Sequence, residues 1–220
     1  MGTSISDLTS EALAFADQQG LTQSPDKVLE LKQFWLAEPS EDFLPGVALL
    51  YASSEGLNII VTLMDKTIFS EATGFNQKTW ELGDVVELFA GIPGFPTYWE
   101  IHVTPNDHRL QLNWTAADFD SVRKSERQIE EFHITDPDFI TSSVSIDEES
   151  HRWSTHIFLP WKSIGIVSNP SSLTFEIAIC RYDASPGKKE ATLSSTANLT
   201  KPSYHRRHEW TTLTLDIPEI

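Results

Sequence analysis

The sequence is short of cysteine, of basic side chains and of long apolar runs. Its single cysteine, Cys180, rules out an internal disulfide framework and reads as a buried, inert thiol. Lys and Arg number 16 against 32 Asp and Glu, a formal net charge of −16. Such a surface repels nucleic acid and anionic membranes, so neither is expected as a partner. No apolar stretch approaches the roughly 20 residues that a membrane-spanning helix needs. The first residues, MGTSISDL, have neither a basic start nor an apolar core and do not read as a signal peptide, which leaves the compartment open. Seven histidines occur without HExxH, CxxCH or zinc-type Cys/His spacing, so no metal or haem motif is legible.

What is present is strand patterning. Residues 28–35, 47–51, 57–64, 84–89, 98–103, 109–114, 132–146, 153–159, 173–182 and 210–215 read as strands separated by turn chemistry. Examples of that chemistry are Gly91-Ile-Pro-Gly-Phe-Pro96 and Pro105-Asn-Asp107. Residues 160–165 place a proline at a first helical turn and a glycine at its stop, which predicts one short helix. Residues 10–17 fit either a helix or an added edge strand, within an N-terminal extension spanning 1–23. The charged run 118–131 reads as a solvated connection, and 183–209 as a long irregular loop of the kind that carries function. Ten strands in 220 residues predict one domain, an all-β antiparallel two-sheet sandwich of jelly-roll or immunoglobulin-like size.

Alternation sorts the side chains of residues 84–114 by face. Val86 and Leu88, then Trp99, Ile101 and Val103, then Leu110, Leu112 and Trp114 are expected to face the core. The opposite face then collects Glu87, Val85 and Phe89, with Tyr98, Glu100 and His102, and with Arg109, Gln111 and Asn113 beside them. Such a face is either a solvated outer surface or the floor of a polar groove.

Trp80-Glu-Leu-Gly-Asp-Val-Val-Glu-Leu-Phe89 followed by Tyr98-Trp-Glu-Ile-His-Val-Thr-Pro105 resembles the signature of family 9 carbohydrate-binding modules and their DOMON-related kin. The likeness extends through residues 47–65, 157–165, 175–183 and 210–215. It implies a non-catalytic module that binds a saccharide or glycan end in a groove between aromatic side chains, in a family whose members are usually secreted. By motif, Trp80 would pack on the sugar and Glu87 would take hydroxyl hydrogen bonds. A second aromatic, on the loop before the last strand, falls at Tyr204. Where family members that grip a reducing end carry an arginine, this chain has Glu100, and the family's glutamine and asparagine positions fall on Ala178 and Lys201. The resemblance also implies a structural calcium, for which Asp65, Asp84 and Asp183 offer oxygens.

The chemistry agrees with that implication in part. A sugar presents apolar C–H faces to aromatic rings and hydroxyls to charged partners. Trp80, Glu87, Glu100, Arg109, Arg181 and Tyr204 are therefore the candidate ligand-binding residues, although Trp80 also fits a rim tryptophan packed over a loop. Glu87 and Glu100 would lie about 5 Å apart if directly opposite. Two such carboxylates raise one pKa, bind a cation, or pair with Arg109 or Arg181. No catalytic residue is assigned, and His205-Arg-Arg-His208 reads as a basic loop. Two other classes remain: an interaction module without sugar binding, and a haem-carrying electron-transfer sandwich using Met64 and His102.

Overall fold

Strands with apolar side chains on one face must bury that face, and here two antiparallel sheets do so against each other. The computed structural model describes residues 4–168, 170–188 and 190–218, so residues 1–3 of the N-terminal stretch lie outside it. The chain opens with α1 (Ile5–Gln18), followed by β1 (Lys27–Leu31), β2 (Gly46–Ala52) and β3 (Gly56–Met64). Next come β4 (Val85–Gly91), β5 (Thr97–Val103), β6 (Arg109–Thr115) and α2 (Ala116–Arg123). The chain closes with β7 (Thr141–Asp147), β8 (Arg152–Pro160), β9 (Ser172–Asp183), β10 (Thr192–Ser195) and β11 (Thr211–Asp216). One sheet runs β1-β2-β3-β8-β7 and the other β10-β9-β4-β5-β6. The long β9 pairs with β11 along its first half and with β10 along its last four residues. Among the described residues, no helix is long and apolar enough to cross a membrane.

The shared layer joins Leu57, Ile59, Val61 and Ile157 of the first sheet to Val86, Leu88, Ile101, Val103, Ile177 and Ile179 of the second. The predicted short helix is a 3-10 turn, Trp161–Ile164, ended by Gly165 at φ 81°, where a side chain would be strained. The long strand expected over 132–146 is confined to β7, because Phe132 ends a 3-10 turn and Asp136 caps the amide of Asp138.

Both outer faces are also covered. On the first sheet, Leu8, Ala12, Phe15 and Ala16 of α1 pack on Val47, Leu49, Tyr51 and Ile60. The N-terminal stretch therefore lies on a face and does not extend an edge. On the second sheet, Phe89, Tyr98, Leu110, Leu112, Trp114, Ala178 and Cys180 form a second apolar layer with Tyr204 and Trp210. Phe119 and Val122 of α2 pack against the same layer.

This covering corrects the face expected for β6. Residues directly opposite across an antiparallel pair share a face. The register sets Tyr98 against Trp114, Glu100 against Leu112 and His102 against Leu110. Leu110, Leu112 and Trp114 are buried, but on the outer side, and Arg109, Gln111 and Asn113 turn to the other side. The sequence rule that apolar residues are buried holds; it does not say which of two buried faces receives them.

Candidate functional site

The covered outer face of the second sheet contains a pocket of about 370 Å³. Glu87, Glu100 and His102 form its floor, and Trp80, Phe119, Tyr182 and His205 stand around it. Two strands position the floor. Glu87 of β4 faces His102 of β5, while Glu100 is opposite Phe89, so the two glutamates are diagonal neighbours and not directly opposite. His102 Nε2 lies 2.9 Å from Glu100 Oε1 and 3.7 Å from Glu87 Oε2. Its other ring nitrogen, Nδ1, is 2.7 Å from Thr79 Oγ1, which fixes the imidazole plane. Thr79 and Trp80 belong to a 3-10 turn, Thr79–Glu81, and the Trp80 ring meets His102 edge-on at 5.7 Å.

All three floor residues are at least 95 % buried. Burial disfavours their charged forms. It pushes Glu87 up to about 7, with His102 pulling the other way, and Glu100 up to about 8. Burial holds His102 below its ordinary value, and it holds His205 down at about 3. Among the described residues, Glu87 and Glu100 form ion-pair contacts with His102 and His205 alone. Glu100 Oε2 and the Trp114 indole Nε1 are both buried and make no close hydrogen bond among the described residues, although the indole N–H is near enough to favour the Glu100 carboxylate.

Four of the six candidate residues line this pocket: Trp80, Glu87, Glu100 and Tyr204. Tyr204 is only 6 % exposed and its hydroxyl donates to the Arg181 carbonyl, so it offers the pocket little of a ring face. Arg109 and Arg181 lie elsewhere. Arg109 opposes Val103 on the other side of the sheet and donates to the Ile140 carbonyl. Arg181 opposes Val86, and its guanidinium reaches Asp65 and Asp183. Neither arginine neutralises the glutamates; both were expected on the wrong side because the strand pattern alone does not fix their register.

His205 was hidden inside what reads as a basic loop. Its ring stacks on Phe119 at 3.5 Å between centroids, and Nδ1 lies 3.0 Å from the Tyr98 hydroxyl. The arginines beside it face away. Arg206 pairs with Glu209, and Arg207 pairs with Glu176 while donating to the Ile92, Phe95 and Thr97 carbonyls. Arg207 thus ties the loop bearing Tyr204 and His205 to the β4–β5 turn. No local signal marks His205, since its position depends on contacts more than 80 residues away in sequence. Phe119 was missed, because 118–131 reads as a solvated connection, although a signal was there: Thr115 and Asp118 make a capping box, and Phe119 and Val122 follow at helical spacing.

No protein-family model and no curated protein matches the sequence. Solved structures do match. A Bacteroides uniformis protein with a proposed carbohydrate-binding role superposes with a TM-score of 0.65 at 13% identity, covering 93% of this chain and 90% of that one. A family 9 carbohydrate-binding module from Caldicellulosiruptor kristjanssonii, solved with glucose, gives 0.52 at 7% identity over 83% of this chain and 80% of that one. A family 9 module from the same organism, solved with cellotriose, gives 0.51 at 9% identity over 87% and 82%. The fold is that of family 9 carbohydrate-binding modules.

The family 9 likeness raises the question of calcium. Asp65 follows β3, Asp84 precedes β4 and Asp183 ends β9, and their oxygens lie within 4.8 Å of one another. Arg181 Nη2 is 3.1 Å from Asp65 and 2.8 Å from Asp183. Asp84 instead accepts the amides of Phe69 and Ala184. Burial, then Asp65, pushes Asp84 up to about 8. Three carboxylates against one guanidinium and an all-oxygen donor set fit a hard divalent cation. The haem ligands do not fit. Met64 packs with the α1 layer outside the first sheet, whereas His102 lies outside the second, so the sandwich separates them.

Proposed function

We propose that this chain is a non-catalytic saccharide-binding module whose ligand enters the pocket over Glu87, Glu100 and His102. One observation carries the reading: a buried acceptor, Glu100 Oε2, and a buried donor, Trp114 Nε1, neighbours that make no close hydrogen bond among the described residues, line a pocket rimmed by aromatic rings. A sugar hydroxyl both donates and accepts, so it satisfies such a pair, while Trp80 and Phe119 offer faces to the apolar side of the ring. The pocket's volume falls within the range of small-molecule sites. Phe119 replaces Tyr204 as the second stacking ring in this reading. The family 9 fold supports it, and the glucose and cellotriose seen with two neighbours supply the first probes. We also assign Asp65, Asp84 and Asp183 to a structural calcium that stabilises the strand ends behind the pocket.

The test is a glycan array run with and without calcium, followed by Trp80→Ala. Retention of saccharide should be lost in the variant, while unfolding free energy changes by about 1 kcal/mol or less, as befits a half-exposed ring. Joint loss of retention and stability would mark Trp80 as part of the core, and an empty array would sink the reading.

A further inference from the structure

The acidic floor of the pocket has a second property that saccharide binding does not use. Glu87 Oε2, a Glu100 carboxylate oxygen and His102 Nε2 all lie within 4.8 Å of one another, close enough for one ion to touch all three. They are mixed oxygen and nitrogen donors, unlike the oxygen-only aspartate cluster. An imidazole with two carboxylates is a donor set for a borderline-soft transition metal, whereas calcium and magnesium take oxygen.

Three further observations distinguish this cluster from an ordinary acidic patch. First, the groups are buried: Glu87, Glu100 and His102 are 5 %, 3 % and 0 % exposed. Second, Glu100 Oε2 is buried, unpartnered, and part of the pocket floor. Third, His102 is oriented through its outer nitrogen. Thr79 Oγ1 at 2.7 Å from Nδ1 turns Nε2 toward the two carboxylates, the arrangement by which an outer hydrogen bond aims a ligating imidazole at its ion. No lysine or arginine pairs with Glu87 or Glu100 among the described residues, so no built-in cation fills the place. The pocket supplies an entry path from solvent.

We infer that Glu87, Glu100 and His102 form a binding site for one divalent transition-metal ion, Zn²⁺ by chemistry, with the remaining coordination position open to the pocket. Three protein ligands and one free position leave room for a water or a ligand oxygen. Thr79 is a positioning residue and touches no metal. The inference does not depend on saccharide binding, because it concerns the ion alone.

The test uses full-length, tag-free protein stripped of metal and titrated with Co²⁺, whose visible absorption reports nitrogen and oxygen ligation, and then with Zn²⁺ as competitor. The expected result is one equivalent of Co²⁺ displaced by Zn²⁺ but not by an equal concentration of Ca²⁺. Glu100→Gln, nearly isosteric, should abolish the signal, and Glu30→Gln, on the exposed edge strand β1 of the other sheet, should leave it intact. Thr79→Val should weaken binding by about ten-fold through loss of the orienting hydrogen bond. Circular dichroism identifies any variant that fails to fold; should Glu100→Gln do so, Glu87→Gln and Thr79→Val carry the comparison. Absence of Co²⁺ binding by the wild-type chain overturns the site, as does a signal that survives Glu100→Gln and vanishes with Asp84→Asn. A chain that binds Co²⁺ and retains no saccharide upholds the metal site while overturning the proposed function, and the reverse result does the opposite.

Discussion

Two buried acidic clusters lie on opposite sides of the same sheet, and they solve the same electrostatic problem differently. Asp65 and Asp183 pair with the guanidinium of Arg181, and backbone amides take both oxygens of Asp84. Glu87 and Glu100 have only imidazoles for company, and one oxygen is left unpartnered. The first cluster carries a guanidinium of its own, while the second opens into a pocket. A buried charge that is paired is structural by default; one that is unpaired beside a cavity asks for something from outside. The contrast, more than either cluster alone, is what supports placing the proposed site on the outer face.

The largest expected effect breaks the closed cluster. Arg181→Met leaves Asp65 and Asp183 buried without their cation and should cost about 3–5 kcal/mol of unfolding free energy in urea titrations. Millimolar Ca²⁺ should restore part of that loss; if it restores none, the aspartates hold no ion. A smaller effect is read by pH, to which buried carboxyls of both clusters contribute, since Asp84 is pushed up to about 8 as well. Glu87 and Glu100 have folded-state values near 7 and 8, above the ordinary carboxylate value, so the folded chain holds protons that the unfolded chain has released. Stability of the metal-free protein should therefore fall as pH rises from about 4.5 through about 8 and level off above that. The depressed His102 and His205 oppose this trend below about pH 7, where imidazoles take up protons more readily in the unfolded chain, so the decline is clearest between about pH 7 and 8. Glu100→Gln should flatten the decline and gain about 1–3 kcal/mol near pH 9, the cost of an uncompensated buried group. The smallest effect is a control on the surface. Lys188 and Asp42 are 2.7 Å apart in solvent, and Lys188→Ala should change stability by about 1 kcal/mol or less, showing that burial and not proximity sets the other values.

Much of the architecture was legible in sequence because strand alternation and turn residues are local. β2 to β6, β8 and β9 lie within a residue or two of their expected bounds. The helices were legible in principle: Ser4 with Asp7, and Thr115 with Asp118, are capping boxes, and each precedes apolar residues at helical spacing. Their charge disguised them, most of all in α2, where acidic and basic residues crowd the exposed side. The site was half legible. Trp80, Glu87 and Glu100 meet at one pocket because neighbouring strands bring them together, which alternation anticipates. Arg109, Arg181 and His205 were not placed correctly, because their positions depend on which outer face the chain covers and on a loop docked from far along the sequence. Alternation tells buried from exposed; with three buried layers it cannot tell one interior from another.

Arg207 never touches the pocket, yet it clamps the segment that forms one of its walls to the turn after β4. A methyl group at Gly91 would come within 2.7 Å of that guanidinium. The gap available to a ligand is therefore gauged from outside the cleft, by a clasp at the far rim.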